Sequence, residues 1–172
     1  MSASEDPHHL AGALVGRAIP SIKLHTTRLD LVDLLNYASR CTAIYVYPGT
    51  TASVEGERDT PMADAAQHRA FRERRDELFR HGVLVAGLSS QSQDEQLATA
   101  DTHSVLHWLL SDPELSLARA LGLPTCKANG NTVYSRAILV VRHGEVAEAV
   151  HPVDAPESSA ELVLAWAKAN GQ

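Results

Sequence analysis

At 172 residues, 44% hydrophobic and 21% charged, the chain suits a single domain able to bury one core. A formal net charge of −6 removes the basic footprint of a nucleic-acid binder, and no run approaches the roughly 18 consecutive apolar residues of a membrane span. Two cysteines, Cys41 and Cys126, are too few for a secreted disulfide framework and read as free thiols in a reducing compartment.

Met1 to His9 is polar and acidic, with neither a positively charged start nor an apolar signal core. Residues 1–13 are therefore expected to be a disordered lead-in, residues 14–172 a single domain, and the compartment cytoplasmic. Thr42 to Tyr47 is the strongest strand, β-branched and aromatic nearly throughout and stopped by Pro48-Gly49, as in a central strand buried on both faces. Residues 48–61, rich in Gly, Thr, Ser and Pro, read as a loop. Residues 62–80 follow as a helix with Phe71, Leu78 and Phe79 inward and Arg69, Glu73 and Asp76 on a solvated face. Val83 to Leu88 is the next strand, and Asp94 to Thr102 the next helix.

Leu106 to Leu110 reads as a strand entry. Asp112 can cap a further helix, with Pro113 at its first position, Leu115, Ala118 and Leu121 as its buried stripe and Gly122 as its left-handed stop. Residues 124–132 read as a loop. Ala137 to Arg142 and Val146 to Val150 pair around His143-Gly144, and a last helix from Ser158 or Ser159 buries Leu162, Val163 and Trp166. Strands alternating with helices imply a mostly parallel sheet covered on both faces, and the late hairpin adds antiparallel strands.

Leu109-Leu110-Ser111-Asp112-Pro113-Glu114-Leu115, continuing to Pro124, resembles the alkyl hydroperoxide reductase and thiol-specific antioxidant branch of the peroxiredoxin superfamily. Tyr45-Val46-Tyr47-Pro48 resembles that family's strand into its active-site loop, and Tyr134 to Gly144 its late strand; the likeness covers roughly residues 14 to 168. It implies an α/β, thioredoxin-like fold, a central mixed sheet flanked by helices. It also implies a homodimer. In that family a cysteine thiolate at the start of the long helix attacks a peroxide oxygen, an arginine lowers its pKa and holds the peroxide, and a threonine orients both. Arg136 matches the arginine, and Thr50 or Thr51 the threonine. Where the family places Cys-Thr-Pro this chain reads Asp59-Thr60-Pro61, and no cysteine lies between residues 42 and 125. Ordinary thiol peroxidase activity is therefore not expected.

The first candidate site is the former peroxide pocket: Tyr47, Pro48, Thr50, Thr51, Asp59 and Arg136. Asp59 would pair with Arg136 or serve as a general base; the plainer alternative is a structural ion pair with a helix-capping carboxylate. The second is Cys126, whose thiolate Lys127 would stabilise; the alternative is drift from an apolar residue. Cys41, entering a buried strand, reads as inert core. His103 and His107, spaced i and i+4, would share a face only if that segment were helical, and no carboxylate-rich partner motif accompanies them. Trp108 and Trp166 fit core packing, and no phosphate loop, dinucleotide fingerprint or serine elbow appears. No cofactor and no metal are expected. Three functions stay open: a repurposed enzyme acting on a small oxygenated or redox-active metabolite, a thiol oxidoreductase using Cys126, or a non-catalytic relative binding a ligand or partner.

Overall fold

A computed structural model describes residues 7–171. In chain order these form α1 (Pro7–Leu14), β1 (Lys23–Thr26), β2 (Leu31–Asp33), α2 (Leu34–Tyr37), β3 (Thr42–Val46), α3 (Thr60–Arg80), β4 (Leu84–Ser89) and α4 (Gln93–Thr102). They continue with β5 (Trp108–Ser111), α5 (Ser116–Leu121), β6 (Thr125–Ala128), β7 (Asn131–Tyr134), β8 (Ala137–Arg142), β9 (Glu145–Val150) and, after a short 3-10 turn, α6 (Ser159–Asn170). No helix among the described residues is long and apolar enough to cross a membrane.

Seven strands make one mixed sheet in the order β2-β1-β5-β4-β3-β8-β9, while β6 and β7 form a separate pair. β3, β4 and β5 run parallel, and β8 lies antiparallel to β3 with Ala137 opposite Val46. Every residue of β3 is buried because helices cover both faces of the sheet. Ile44 and Val46 point to one core with Leu14, Leu34, Leu117 and Leu121. Tyr45 and Tyr47 point to the other, against Phe71 and Leu78 of α3 and Val163 and Leu164 of α6. This is the thioredoxin-like mixed sheet flanked by helices that the resemblance implies.

Several expectations are corrected. Residues 7–13 are not a disordered lead-in: they belong to α1, whose Leu14 is buried and whose exit is tied down by the Gly16 N–H donating to the Val146 carbonyl. Residues 1–6 of the expected lead-in lie outside the described residues. Phe79 is 66% exposed, because eight residues beyond Phe71 it has turned off the stripe that Phe71 and Leu78 share. Leu162 is 47% exposed for the same reason, since Ala160, Val163, Leu164 and Ala167 hold the inward spacing of α6. Asp112 does cap α5, its carboxylate accepting from the Ser116 and Leu117 amides, but the helix starts beyond Pro113, and Leu115 takes a left-handed φ of 55° as a half-buried entry residue. The segment read as a loop from 124 to 132 is mostly the β6–β7 hairpin, turned by Asn129 and Gly130 at φ 50° and 79°.

Tight packing in the second core centres on Gly87 of β4. A Cβ there would lie 2.6 Å from Leu109 Cδ2 and 2.9 Å from Tyr45 Cζ. Gly87→Ala is therefore expected to destabilise the protein by about 1–3 kcal/mol in urea unfolding; an unchanged midpoint would contradict this packing.

Candidate functional site

The antiparallel register of β3 and β8 sets Arg136, the residue before β8, beside the end of β3 and the loop that leaves it. That loop runs to Asp59, the N-cap of α3, whose carboxylate accepts from the Met62 amide at 3.1 Å, and Pro61 follows in the first turn. Arg136 is only 4% exposed. Its Nε donates to Glu57 Oε1 at 2.8 Å, and Nη2 donates to Glu57 Oε2 at 3.1 Å and to Asp64 Oδ1 at 2.7 Å. Nη1 donates to Gln67 Oε1 at 2.8 Å, and Gln67 in turn donates to Ser159 of α6. Asp64 Oδ2 accepts from the Gly49 amide at 3.1 Å, at a φ of 63° that glycine adopts freely. Burial lifts the Asp64 carboxyl to about 6, outweighing the opposing pull of Arg136.

The pairing expected between Asp59 and Arg136 is not formed; Glu57 and Asp64 take it. Asp59 lies before the first turn and is engaged in capping, whereas Asp64, one turn further on, faces the core. Tyr47 is not a ligand-facing residue either: it is 1% exposed, its hydroxyl donates to Gln96, and its ring meets His68 edge-on. Thr50 Oγ1 accepts from the Ala52 amide at 3.3 Å, and Thr51 is exposed. The buried threonine next to this loop is Thr60, whose hydroxyl accepts from the Val54 amide at 3.0 Å.

A cavity of about 560 Å³ adjoins Arg136, and Asp59, Cys126 and His151 also line it, whereas Tyr47, Pro48, Thr50 and Thr51 do not. Glu55, Asp59, Asp154 and Glu157 stand in its lining against Arg58, beyond the Arg136–Glu57 pair, which makes it acidic. His151 Nδ1 lies 3.0 Å from the Arg136 carbonyl oxygen. A carbonyl only accepts, so Nδ1 donates this bond, and in the neutral ring Nε2 keeps its lone pair. Nothing in the sequence pointed to His151, because its role depends on a tertiary contact. Cys126, read from the sequence as a separate candidate, lines this cavity; burial pushes its thiol up, and Lys127, expected to stabilise a thiolate, turns away to donate to Thr132. Cys41 stands at the opposite end of the sheet, where burial raises its thiol as well. The length of β8 separates the two cysteines and precludes a bond between them.

Behind the site lies a buried chain of polar rings. The Tyr45 hydroxyl is 2.8 Å from His68 Nδ1 and 2.7 Å from His107 Nε2. One hydroxyl proton serves one histidine, so the other imidazole must donate to the Tyr45 oxygen. Burial lowers both imidazoles to about 3, and among the described residues His68 Nε2 and His107 Nδ1 have no partner. His103 ends α4 as its C-cap, so it shares no helical face with His107; it stacks on His68 instead, ring centroids 5.1 Å apart.

The Redoxin family model matches residues 14–164. The chain belongs to the Redoxin family. Among solved structures it is similar to peroxidoxin BcpB from Mycobacterium tuberculosis, at 17% identity and a TM-score of 0.76, covering 92% of this chain and 98% of that one. It is also similar to a cysteine-to-serine mutant of PrxQ from Xylella fastidiosa, at 19% identity and a TM-score of 0.74 over 90% and 95% of the two chains. Reduced Prx3 from Vibrio vulnificus in complex with hydrogen peroxide gives 21% identity and a TM-score of 0.72 over 89% and 97%. At these identities the structures establish the redoxin fold. No curated protein matches the chain.

Two expected outcomes follow from the buried groups. The Asp64 carboxyl titrates from 3.8 in a free chain to about 6 when folded, so between those values the native state keeps a proton that the unfolded chain has lost. Ionising it as pH rises costs stability, and Asp64→Asn should gain on the wild type by about 1–3 kcal/mol between pH 4 and 7 in urea unfolding. A pH-independent difference would contradict this. For His68 and His107 the sign is opposite: their native pKa lies below the unfolded value of 6.5, so the stability they contribute is present above that pH and is lost as pH falls towards about 3. Their imidazole resonances should still be those of neutral rings at about pH 5.

Proposed function

We propose that this redoxin does not work as a cysteine peroxidase and instead acts on a small oxygenated molecule in the cavity beside Arg136. The observation that carries the reading is the state of the guanidinium: four of its five N–H groups are engaged by Glu57, Asp64 and Gln67. In peroxiredoxin-like chains the arginine faces a thiolate at the start of the long helix. Here Asp64, in the first turns of α3, meets Arg136 and supplies a carboxylate that cannot carry out the two-electron attack on peroxide.

His151 and Cys126 stand in the cavity wall together with the charged lining. With Nδ1–H held by the Arg136 carbonyl, His151 Nε2 is a proton acceptor suited to general-base work on a hydroxyl or activated C–H. The acidic lining favours neutral or cationic substrates over anions. A second reading, thiol chemistry at Cys126, draws support from its place in the same wall and is weakened by its raised pKa.

The two readings separate by mass spectrometry of the reduced protein after a slight excess of hydrogen peroxide. Both thiols are expected to survive for minutes. Rapid gain of oxygen on Cys126 would overturn the first reading in favour of the second. A thermal-shift screen of neutral and cationic oxygenated metabolites should then find ligands whose stabilisation is lost in His151→Ala and kept in Cys126→Ser.

A further inference from the structure

At the opposite end of the sheet from Arg136, where β4 and β5 begin, a second cavity of about 410 Å³ lies against the last turns of α3. Its walls are apolar and largely aromatic. Tyr37 stacks on Trp108 with ring centroids 5.2 Å apart, and Val83 and Val85 extend the surface. Phe79 and Leu106 also line it, each 66% exposed, so two large apolar side chains are left in water beside an open space. A ligand between them would withdraw both from solvent.

The charge of this cavity is opposite to that of the chain. Arg28 lies over the Trp108 ring at 5.7 Å from its centroid, and Arg75 lines the same wall half-buried. Among the described residues neither guanidinium has a carboxylate within ion-pair distance or a side-chain hydrogen bond, whereas Arg136, Arg74 and Arg72 all do. Asp76 is the one carboxylate in the lining. The protein as a whole carries −6, so a net positive recess with two unpaired guanidinium groups is a local reversal. His107 completes the wall, with its Nδ1 buried and without a partner among the described residues.

An apolar slot of this volume with a few polar groups at one place is the usual form of a small-molecule site. The exposed Phe79 and Leu106 beside Trp108 offer apolar contact for a flat ring, and the two arginines offer N–H donors for a carboxylate. We propose that this cavity binds a small aromatic carboxylate, its ring against Trp108 and between Phe79 and Leu106, its carboxylate held by Arg75 and Arg28. The site shares no lining residue with the cavity beside Arg136, and the inference stands independently of the function proposed for that one.

Phenylacetate is a suitable probe, followed by NMR through the two tryptophan indole N–H resonances. It should shift Trp108 and leave Trp166 in place, with a dissociation constant on the order of 1 mM, as expected for a ligand of that size. Phenylacetamide, of the same shape without the charge, should bind about tenfold more weakly, and the double variant Arg28→Gln, Arg75→Gln should lose about the same factor for the acid. His151→Ala should leave the affinity unchanged. Equal binding of acid and amide, or a perturbation at Trp166 with none at Trp108, would overturn the proposal.

Discussion

A guanidinium taken out of water has to be met by acceptors at nearly every N–H, or the fold would bear the cost of an unpaired charge. Arg136 satisfies that demand with groups from three places. Glu57 comes from the loop after β3, Asp64 and Gln67 come from α3, and Gln67 carries the connection to Ser159 of α6. One buried charge thus ties the start of β8 to the loop, the long helix and the last helix. The same arrangement gathers two carboxylates around one cation, and the more deeply buried of them, Asp64, bears the strain as a raised pKa. A guanidinium used in this way holds the structure together.

The two ends of the sheet have divided the charge between them. Beside Arg136 the cavity lining is acidic, while the recess at the start of β4 and β5 is basic and aromatic. Between them runs the face of β3 that carries Tyr45 and Tyr47, packed on His68 and reaching His107. Gly87 makes room for the Tyr45 ring, and the Tyr45 hydroxyl joins histidines that are far apart in the chain. A scaffold shared with structurally similar peroxiredoxins therefore carries two recesses of different chemistry, in line with function residing in sites more than in folds.

How legible this was in the sequence varied with the range of the interactions. β3 and β8 announced themselves through runs rich in β-branched and aromatic residues, β9 through the His143-Gly144 turn, and α3 through its length and charge. β1 and β2 are four and three residues long and partly exposed, too short for a periodic pattern to form. The β6–β7 hairpin did carry a signal in Asn129-Gly130, masked by the polar residues around it. Arg136 and Cys126 were singled out in the sequence as separate candidates, and only the fold brings them to one cavity. Asp64 was not, since Asp59 stood nearer the Thr-Pro pair, and only the direction each carboxylate takes at a helix start tells a cap from a core contact. His151 and the Tyr45 histidine pair rest on contacts across the chain that no local spacing encodes.

Whether the Asp64 carboxylate stands at Arg136 in place of a thiolate is tested most directly by restoring the thiol. The measurement is the rate at which hydrogen peroxide oxidises the new thiol in Asp64→Cys, read by mass spectrometry beside Cys41 and Cys126 in the same molecules. Set against Arg136 and the Gly49 amide, that thiol should gain oxygen well before either native cysteine, with water as the other product. A new thiol no faster than Cys126, in a variant that stays folded, would contradict the claim.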